Sequence, residues 1–351
     1  MRVAVALSGG VDSAVAAYLL KAAGHDVIGV TMSLWRDGRY KGGPRDACFG
    51  PGEKEDIKVA GELAERLAIP LRVVDLSDAY ERLVLEHFRR ERLAGRTPNP
   101  CVVCNAKLKF GLLPECAARL DGSFARFATG HYARLVRSNG RLAVAQAADR
   151  RKDQSYFLWR LTLPQLEKIV FPLGWLDKLE VRQIARQAGL PMAEKSDSQD
   201  FYSGNPNELL GAPDAPGEIL SADGKILGTH HGYWHYTIGQ RHGLGLSGSG
   251  EPWYVLDILP ETNQVIVGRQ GDLRISRFRI GEINWQGMAK PTGPVDCRVK
   301  IRSSGTSLGL AVFDGGVIES RAGFWGVAPG QSAVVYSDQG VVLCGGIIEK
   351  E

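Results

Sequence analysis

The chain has 351 residues, of which 44% are hydrophobic and 23% charged, and its formal net charge is +4. This composition is typical of a folded protein of two or three domains, and its mild positive charge permits a nucleic-acid partner without requiring one. The absence of an apolar run of about 18 residues and of a signal peptide predicts a cytoplasmic protein, in which the six cysteines form no disulfide scaffold.

The first 200 residues alternate between predicted strands and helices. Apolar, β-branched runs predict strands at 3–7, 27–34, 71–76 and 124–129. Apolar residues spaced by three and four predict helices at 12–23, 53–67 and 78–93. This alternation predicts an α/β fold with a parallel sheet and helices on both faces, which binds ligands beyond the carboxyl ends of its strands.

The composition changes near Gly204. The stretch GAPDAPGEIL (211–220) is rich in proline and glycine and predicts a linker, and ILSADGKIL (219–227) predicts a hairpin with an Asp-Gly turn. Short strands are then predicted at 295–301, 308–313, 333–336 and 341–343. Their regular spacing predicts one or two small antiparallel barrels.

The most informative motif is LSGGVDSAV (7–15), which directly follows the first predicted strand. Ser8, Gly9 and Gly10 can direct backbone N–H groups inward at a helix N-terminus, where the helix dipole adds positive charge. The motif therefore predicts an anion site. It lacks the lysine of a Walker loop and the spacing of the dinucleotide fingerprint.

The string SGGVDS resembles the pyrophosphatase loop (PP-loop) of ATP pyrophosphatases, which cleave ATP to AMP and pyrophosphate. The resemblance implies that Ser8 and Ser13 bind pyrophosphate oxygens, and that Asp12 holds Mg²⁺ or orients the loop. The implied nucleotide-binding residues are Ala6, Leu7, Ser8, Gly9, Gly10, Val11, Asp12, Ser13, Met32 and Gly130.

Longer motifs resemble the bacterial tRNA-specific 2-thiouridylase family. They are AGRTPNPCVVCNAKLKF (94–110), RKDQSYFLW (151–159), TIGQRHGLG (237–245), EPWYVLDI (251–258) and PGQSAVVY (329–336). The resemblance implies ATP-dependent adenylation of O2 of uridine 34 in glutamate, glutamine and lysine tRNAs, followed by replacement of that oxygen with sulfur from a donor protein or sulfide. It also implies a PP-loop domain at 1–205, a small β-rich domain at 206–272 and a tRNA-binding β-barrel at 273–351.

The resemblance assigns roles to further residues. Cys104 is the implied nucleophile, because a thiolate near the base can deliver sulfur from a persulfide. The implied tRNA contacts are Asn99, Pro100, His131, Lys152, Asp153, Gln154, Arg302, Ser303 and Gln331. Phosphate contacts by arginine and lysine are expected to make tRNA binding salt-dependent.

The sequence departs from the family at one position. In KSDSQDFYSG (195–204), Tyr202 stands where family members carry a second catalytic cysteine. Cys101, in CVVC, and Cys48 are candidates to compensate. They could work with Cys104 by cysteine persulfide chemistry alone, or the three could ligate a [4Fe–4S] cluster that hands over sulfide. Loss of thiolation is the third alternative.

The remaining cysteines are predicted to be structural, with Cys116 in a helix core and Cys297 and Cys344 in barrel strands. Two other functions remain open for the whole chain. One is an ATP pyrophosphatase that acts on a small molecule, which would leave the barrels without a role. The other is a tRNA-binding module that has lost sulfur transfer, which the intact SGGVDS loop argues against.

Overall fold

The N-terminal domain is built on a parallel sheet. The structure is a computed structural model and describes residues 1–44, 47–190, 192, 200–246, 250–304 and 308–350. The strands of this domain are β1 (Arg2–Ala6), β2 (Asp26–Ser33), β3 (Ala47–Phe49), β4 (Leu71–Asp75), β5 (Arg126–Ala128), β6 (Ala133–Ser138), β7 (Arg141–Gln146), β8 (Ile169–Val170) and β9 (Asp200–Tyr202). The main sheet has the order β4-β2-β1-β5-β8, and all its pairs are parallel, which confirms the predicted fold class. β3 pairs with β9, and β6 with β7, in two separate ribbons.

Helices cover the sheet. They are α1 (Val11–Ala22), α2 (Glu53–Arg66), α3 (Ser77–Tyr80), α4 (Glu86–Leu93), α5 (Pro100–Cys104), α6 (Leu113–Asp121), α7 (Leu163–Leu166) and α8 (Lys178–Gln187). The helix predicted at 78–93 is present but contains a π-helical turn, Glu81–Leu85, between α3 and α4. A second π-helical segment, Asn105–Leu112, joins α5 to α6. Within the described ranges, no helix is long and apolar enough to cross a membrane.

The central strand explains why the sheet lies in the core. Val3, Ala4 and Val5 of β1 are fully buried, as expected for a strand covered by helices on both faces. The α1 helix presents small buried residues, including Ala14 and Ala17, to the sheet. Their size lets the helix axis lie close to β1, and this fixes the turn that joins the two.

The central domain has four strands: β10 (Gly217–Ser221), β11 (Ile226–His230), β12 (Tyr254–Leu259) and β13 (Gln264–Gly268). The predicted hairpin is confirmed as the antiparallel pair β10–β11. The expectation of purely antiparallel pairing is wrong here, because β10 also pairs in parallel with β13. The linker predicted at 211–220 is likewise too long, since its last residues lie in β10.

The C-terminal domain is a closed barrel, as predicted. Its strands are β14 (Arg274–Trp285), β15 (Val295–Lys300), β16 (Gly309–Asp314), β17 (Val317–Trp325), β18 (Ser332–Tyr336) and β19 (Val342–Ile348). They close in the order β14-β17-β16-β15-β18-β19, and every pair is antiparallel. Cys297 and Cys344 are buried in its strands, whereas Cys116 is half-buried on α6 against the N-terminal core.

The barrel is docked on the N-terminal domain through Trp159. The indole of Trp159 is fully buried, and its Nε1 donates a hydrogen bond to Ser332 Oγ (2.9 Å) on β18. Gly345 on β19 packs so closely that a Cβ there would lie 2.7 Å from the indole ring. The Gln286 amide donates to the carbonyls of Leu158 and Trp159 (both 2.9 Å). The first and last domains therefore share a packed interface.

Candidate active site

The turn between β1 and α1 has the geometry of an anion site. Gly9 has a φ of +70°, a left-handed conformation that glycine adopts without strain. The Ser13 hydroxyl accepts a hydrogen bond from Ser8 N (3.2 Å) and donates one to the Gly10 carbonyl (3.0 Å), which closes the turn. Because α1 begins at Val11, its unpaired N–H groups and positive dipole end face the same turn.

The Asp12 carboxylate ties this turn to two other segments. Its Oδ1 accepts hydrogen bonds from Tyr132 Oη (2.9 Å), which follows β5, and from Lys178 Nζ (2.7 Å), the first residue of α8. Gly130 packs directly against the turn, because a Cβ there would lie 2.7 Å from the Asp12 carbonyl carbon and Ser13 N. Of the two implied roles for Asp12, this geometry supports orientation of the loop.

A cavity of about 290 Å³ lies at the carboxyl ends of β1, β2 and β5. The residues that the resemblance implies for nucleotide binding, all except Gly9, line it. Met32, at the end of β2, forms part of the wall, as the implied adenine contact requires. In the sheet, β1 lies between β2 and β5, so the strand order changes direction at β1. Open α/β sheets bind their ligands at such a switch point.

Sequence reasoning missed Glu53, which also lines the cavity. Its carboxylate accepts hydrogen bonds from Leu34 N (2.8 Å) and Trp35 N (2.9 Å) and so fixes the chain that leaves β2. Burial raises the pKa of Glu53, although the bonds from Trp35 and Leu34 oppose this. Acidic residues are common at the start of a helix, where they interact favourably with the helix dipole. The stretch GEKED (52–56) at the start of α2 therefore gave no sign that Glu53 lines a cavity.

The three candidate cysteines differ in exposure. Cys48 on β3 is exposed and lines the cavity, Cys101 is half-buried, and Cys104 is buried. Burial raises the pKa of Cys104 to about 11. Burial, with the charge of Cys48, raises the pKa of Cys101 to about 12. Lys109 acts in the opposite direction on both thiols.

Lys109 was also missed, and the π-helical segment explains why. Since a π-helix pairs residue i with residue i+5, Cys104 and Lys109 stand one turn apart on the same side of Asn105–Leu112. An α-helical reading places them on different sides. Burial acts to lower the pKa of Lys109, but the charges of Cys48, Cys104 and Cys101 outweigh it and raise that pKa. The positive charge of Lys109 therefore favours the thiolate forms of Cys101 and Cys104.

The α5 helix presents Cys101 and Cys104 on one face, three residues apart. Its N-cap is Asn99, whose Oδ1 accepts a hydrogen bond from Val102 N (3.3 Å), and buried Pro100 takes the first helical position. In this structure Asn99 therefore holds the start of the cysteine helix in place.

The predicted cluster ligands do not form a metal site as they stand. In the part of the chain that the structure describes, no three His, Cys, Asp or Glu side chains are arranged to hold a metal ion. Cys48, Cys101 and Cys104 are not grouped as metal ligands in the described residues, so a [4Fe–4S] cluster at these three cysteines has no support in this structure.

Tyr202 serves the structure at the position of the missing cysteine. Its side chain is fully buried, and its hydroxyl accepts a hydrogen bond from Gly42 N (3.0 Å) and donates one to Glu208. β9, which ends at Tyr202, pairs with β3, which carries Cys48. Residues 195–199 of the motif that contains Tyr202 lie outside the described residues.

The three residues of the turn at 152–154 have different surroundings. Lys152 and Gln154 line the cavity. The Asp153 carboxylate instead accepts hydrogen bonds from Ala147 N (3.0 Å) and from the backbone (3.2 Å) and hydroxyl (2.8 Å) of Ser155. Asp153 therefore shapes the turn rather than facing a ligand here.

His131 lines the cavity next to Gly130 and is held neutral. Its Nδ1 forms a hydrogen bond with Thr129 Oγ1 (2.7 Å), and burial with the charge of Lys109 lowers its pKa to about 3.

We expect the His131 ring to show no titration between pH 5 and 8 when its NMR signals are followed. A histidine in the unfolded chain titrates near 6.5, so the unfolded state binds more protons below that pH. The stability contributed by neutral His131 is therefore present above pH 6.5 and lost as the pH falls toward 3. A His131 signal that titrates near 6.5 in the folded protein would contradict this assignment.

The barrel residues implied to bind tRNA lie away from the cavity. Arg302 Nη2 donates to the carbonyls of Ile238 and Gly326 (both 2.8 Å) and so joins the central domain to the barrel. Gln331 Nε2 donates to the carbonyls of Thr97 (3.1 Å) and Pro98 (3.3 Å), just before the cysteine helix. Ser303 is exposed. Arg302 and Gln331 thus act as ties between domains in this structure.

The fold and the loop define a class: an α/β nucleotide-binding domain with a phosphate turn after its first strand, followed by two β domains. Family models match each part. They are described as a tRNA methyl transferase HUP domain at residues 1–202, a tRNA methyl transferase PRC-barrel domain at 210–269 and an aminomethyltransferase beta-barrel domain at 275–348.

Curated relatives narrow the class. A tRNA-specific 2-thiouridylase MnmA of Endomicrobium trichonymphae is 44% identical over 359 residues, covering 99% of both chains. The protein of the same name from Syntrophotalea carbinolica is 43% identical over 355 residues, covering 98% of this chain and 97% of its own. The chain belongs to the tRNA-specific 2-thiouridylase MnmA family.

Solved structures are more distant. NMN synthetase from Francisella tularensis has a TM-score of 0.34 and 18% identity, covering 56% of this chain and 65% of its own. A 4-thiouridine synthetase–RNA complex with bound ATP has a TM-score of 0.34 and 15% identity, covering 58% of this chain and 44% of its own. These similarities are too weak to bear on the site.

Proposed function

We propose that this chain is an ATP-dependent tRNA uridine 2-sulfurtransferase, which converts uridine 34 to 2-thiouridine with release of AMP and pyrophosphate. The observation that carries the proposal is the shared cavity. The SGGVDS turn, the Met32 wall, the Cys48 thiol and the Lys109 ammonium all border one space. A nucleotide held at the turn therefore lies beside groups that can handle sulfur.

The first step activates a poor leaving group. Uracil O2 attacks the α-phosphorus of ATP, a P–O bond to pyrophosphate breaks, and O2 becomes part of a good leaving group, AMP. Ser8, Ser13 and the N–H groups that begin α1 stabilise the departing pyrophosphate. Asp12, beside its role in orienting the loop, and Asp56 line the cavity and would hold Mg²⁺ bound to ATP, since this ion usually takes only one or two protein carboxylates. The ion would neutralise charge on the pyrophosphate.

The second step transfers sulfur by cysteine chemistry. A persulfide on Cys104 attacks C2 with its outer sulfur, and AMP leaves with the former O2. A second thiol then attacks the Cys104 sulfur, which releases the thiocarbonyl and leaves a disulfide for a cellular dithiol to reduce. Tyr202 cannot supply that thiol, so Cys48 or Cys101 does. The reducing cytoplasm is the compartment that keeps these thiols free.

We propose that the tRNA substrate binds at the open side of the same cavity. Lys152, Gln154 and His131 line the cavity, and we propose that they contact a flipped base. Asn99 and Pro100, which begin the cysteine helix, are proposed as further tRNA contacts. Arg302 and Ser303 follow β15 in the barrel domain and are proposed to contact tRNA there. Gln331 donates hydrogen bonds to the carbonyls of Thr97 and Pro98, just before Asn99. We propose glutamate, glutamine and lysine tRNAs as substrates, with sulfide or a persulfide protein as donor.

The direct test is a reconstituted reaction. Purified protein is incubated with ATP, Mg²⁺, a sulfur donor and unmodified glutamate tRNA, and the digested tRNA is analysed by mass spectrometry. We expect 2-thiouridine at position 34 and AMP in equal amount. AMP without 2-thiouridine, also after anaerobic reconstitution with iron and sulfide, would contradict the sulfur-transfer step.

A further inference from the structure

We propose that Cys48 is the thiol through which sulfur enters the site, and that Tyr202 is the positioning residue that holds Cys48 there. The inference rests on the proposed thiolation, since it concerns how Cys104 receives its sulfur. It assigns a purpose to the tyrosine that replaces the usual second cysteine.

The exposure of the thiols sets their order. Cys48 is exposed and lies on the cavity wall, whereas Cys104 is buried. A large donor arriving from solution therefore meets Cys48 first. Lys109 lines the same cavity as Cys48, and Cys104 directly precedes the π-helical segment that carries Lys109. Sulfur bound at Cys48 is therefore held at the cavity wall that the segment following Cys104 helps to form.

Hydrogen bonds on β9 fix the strand that carries Cys48. β3 pairs with β9 so that Phe49 lies opposite Tyr202, and Ser203 N donates to the Phe49 carbonyl (3.0 Å). The Phe49 and Tyr202 rings pack with centroids 5.8 Å apart. Because side chains alternate along a strand, burying Phe49 turns Cys48 to the opposite, open face.

The Tyr202 hydroxyl completes this attachment. It is the acceptor for Gly42 N (3.0 Å), and the neighbouring Gly43 N donates to Ser203 Oγ (3.1 Å). Gly50, just after β3, packs so tightly that a Cβ there would lie 2.2 Å from Ser203 Oγ. The backbone on both sides of Cys48 is therefore bound to the Tyr202–Ser203 segment.

The relay conserves electrons. The Cys48 thiolate attacks the outer sulfur of a donor persulfide, a new S–S bond forms, and the donor leaves as a thiolate. The Cys104 thiolate then attacks the outer sulfur of the Cys48 persulfide, and Cys48 leaves as a thiolate. One S–S bond breaks for each one formed, so neither an oxidant nor a reductant is needed.

The experiment measures persulfide on Cys104 without tRNA or ATP. The full chain is mixed with glutathione persulfide as donor, quenched at intervals with an alkylating agent, and the Cys48 and Cys104 peptides are quantified by mass spectrometry. We expect Cys48→Ser to slow loading of Cys104 by about tenfold or more. We expect Tyr202→Phe, which removes the hydrogen bonds to Gly42 and Glu208 but keeps the ring, to slow it by up to about tenfold.

Controls separate positioning from general damage. Tyr233→Phe removes another buried tyrosine hydroxyl, which donates to the Leu93 carbonyl, and should load like the unmodified chain. Cys104→Ser should still load Cys48. If Tyr202 acts through Cys48, the double variant Cys48→Ser/Tyr202→Phe should load Cys104 no more slowly than Cys48→Ser alone.

Loading of Cys104 at the full rate in Cys48→Ser would overturn the relay. An additional loss in the double variant, or an unchanged rate in Tyr202→Phe, would overturn the positioning role. The readout needs no thiolated tRNA. If persulfide forms on Cys104 as expected but the protein makes no 2-thiouridine, the proposed function is contradicted and this inference is not.

Discussion

Replacing Cys104 by serine is expected to lower 2-thiouridine formation by at least about 10³-fold, while the release of pyrophosphate in the adenylation step continues. The serine hydroxyl cannot carry a persulfide, but it leaves the α5 helix and the phosphate turn in place. Cys104 is buried on the face of α5 that it shares with Cys101, one π-turn from Lys109. Sulfur transfer and adenylation should therefore separate in this variant.

The measurement follows 2-thiouridine by mass spectrometry and pyrophosphate by an enzyme-coupled assay in the same reaction. Cys116→Ser is the matched control, because Cys116 is a half-buried cysteine on α6, outside the helix that carries Cys101 and Cys104. It should retain both products. Undiminished 2-thiouridine in Cys104→Ser would remove Cys104 as the sulfur carrier and leave Cys101 as the candidate on the same helix face.

Gly130→Ala is expected to weaken ATP binding by roughly 10- to 100-fold. An extra methyl group in a tightly packed site usually costs about 1–3 kcal/mol, and here that strain falls on the turn that binds the phosphates. The new methyl group would lie 2.7 Å from both the Asp12 carbonyl carbon and Ser13 N, so the phosphate turn itself must shift. Backbone cannot rotate away as a long side chain can. The turn would then present its N–H groups at the wrong positions for pyrophosphate.

Isothermal titration with ATP gives the dissociation constants, and circular dichroism checks that the variant is folded. Gly61→Ala is the control, since a Cβ at this α2 position meets nothing within 4 Å. It should bind ATP like the unmodified chain. Equal ATP affinity for a folded Gly130→Ala protein would show that the turn after β1 does not hold the phosphates.

Local patterns predicted the nucleotide half of the molecule well. β1 is apolar because both its faces are covered, and the turn after it needs small residues, so RVAVALSGG shows both strand and site. The ends of β2 and β5 followed from the same apolar runs, and the family resemblance then pointed to Met32; Met32 and Gly130 both line the cavity. The barrel strands were visible because their alternation matches a sheet with one buried face.

The missed features depend on contacts between distant segments or on an uncommon helix. Lys109 lies on the same side of the segment as Cys104 only in a π-helical register, which residue spacing does not reveal. Gln331 and Arg302 bond to backbone carbonyls in other domains, and a carbonyl leaves no trace in the sequence. The role of Tyr202 likewise depends on Gly42, 160 residues away. Such pairings are decided by the tertiary fold.

The buried indole of Trp159 has a consequence for how the chain is made. Its cover includes Gly345 on the last strand, so the indole stays uncovered while the intervening residues are still being synthesised. At about 5–20 residues per second, this interval lasts roughly 10–40 s. For that time the nascent chain exposes a large aromatic side chain to solvent.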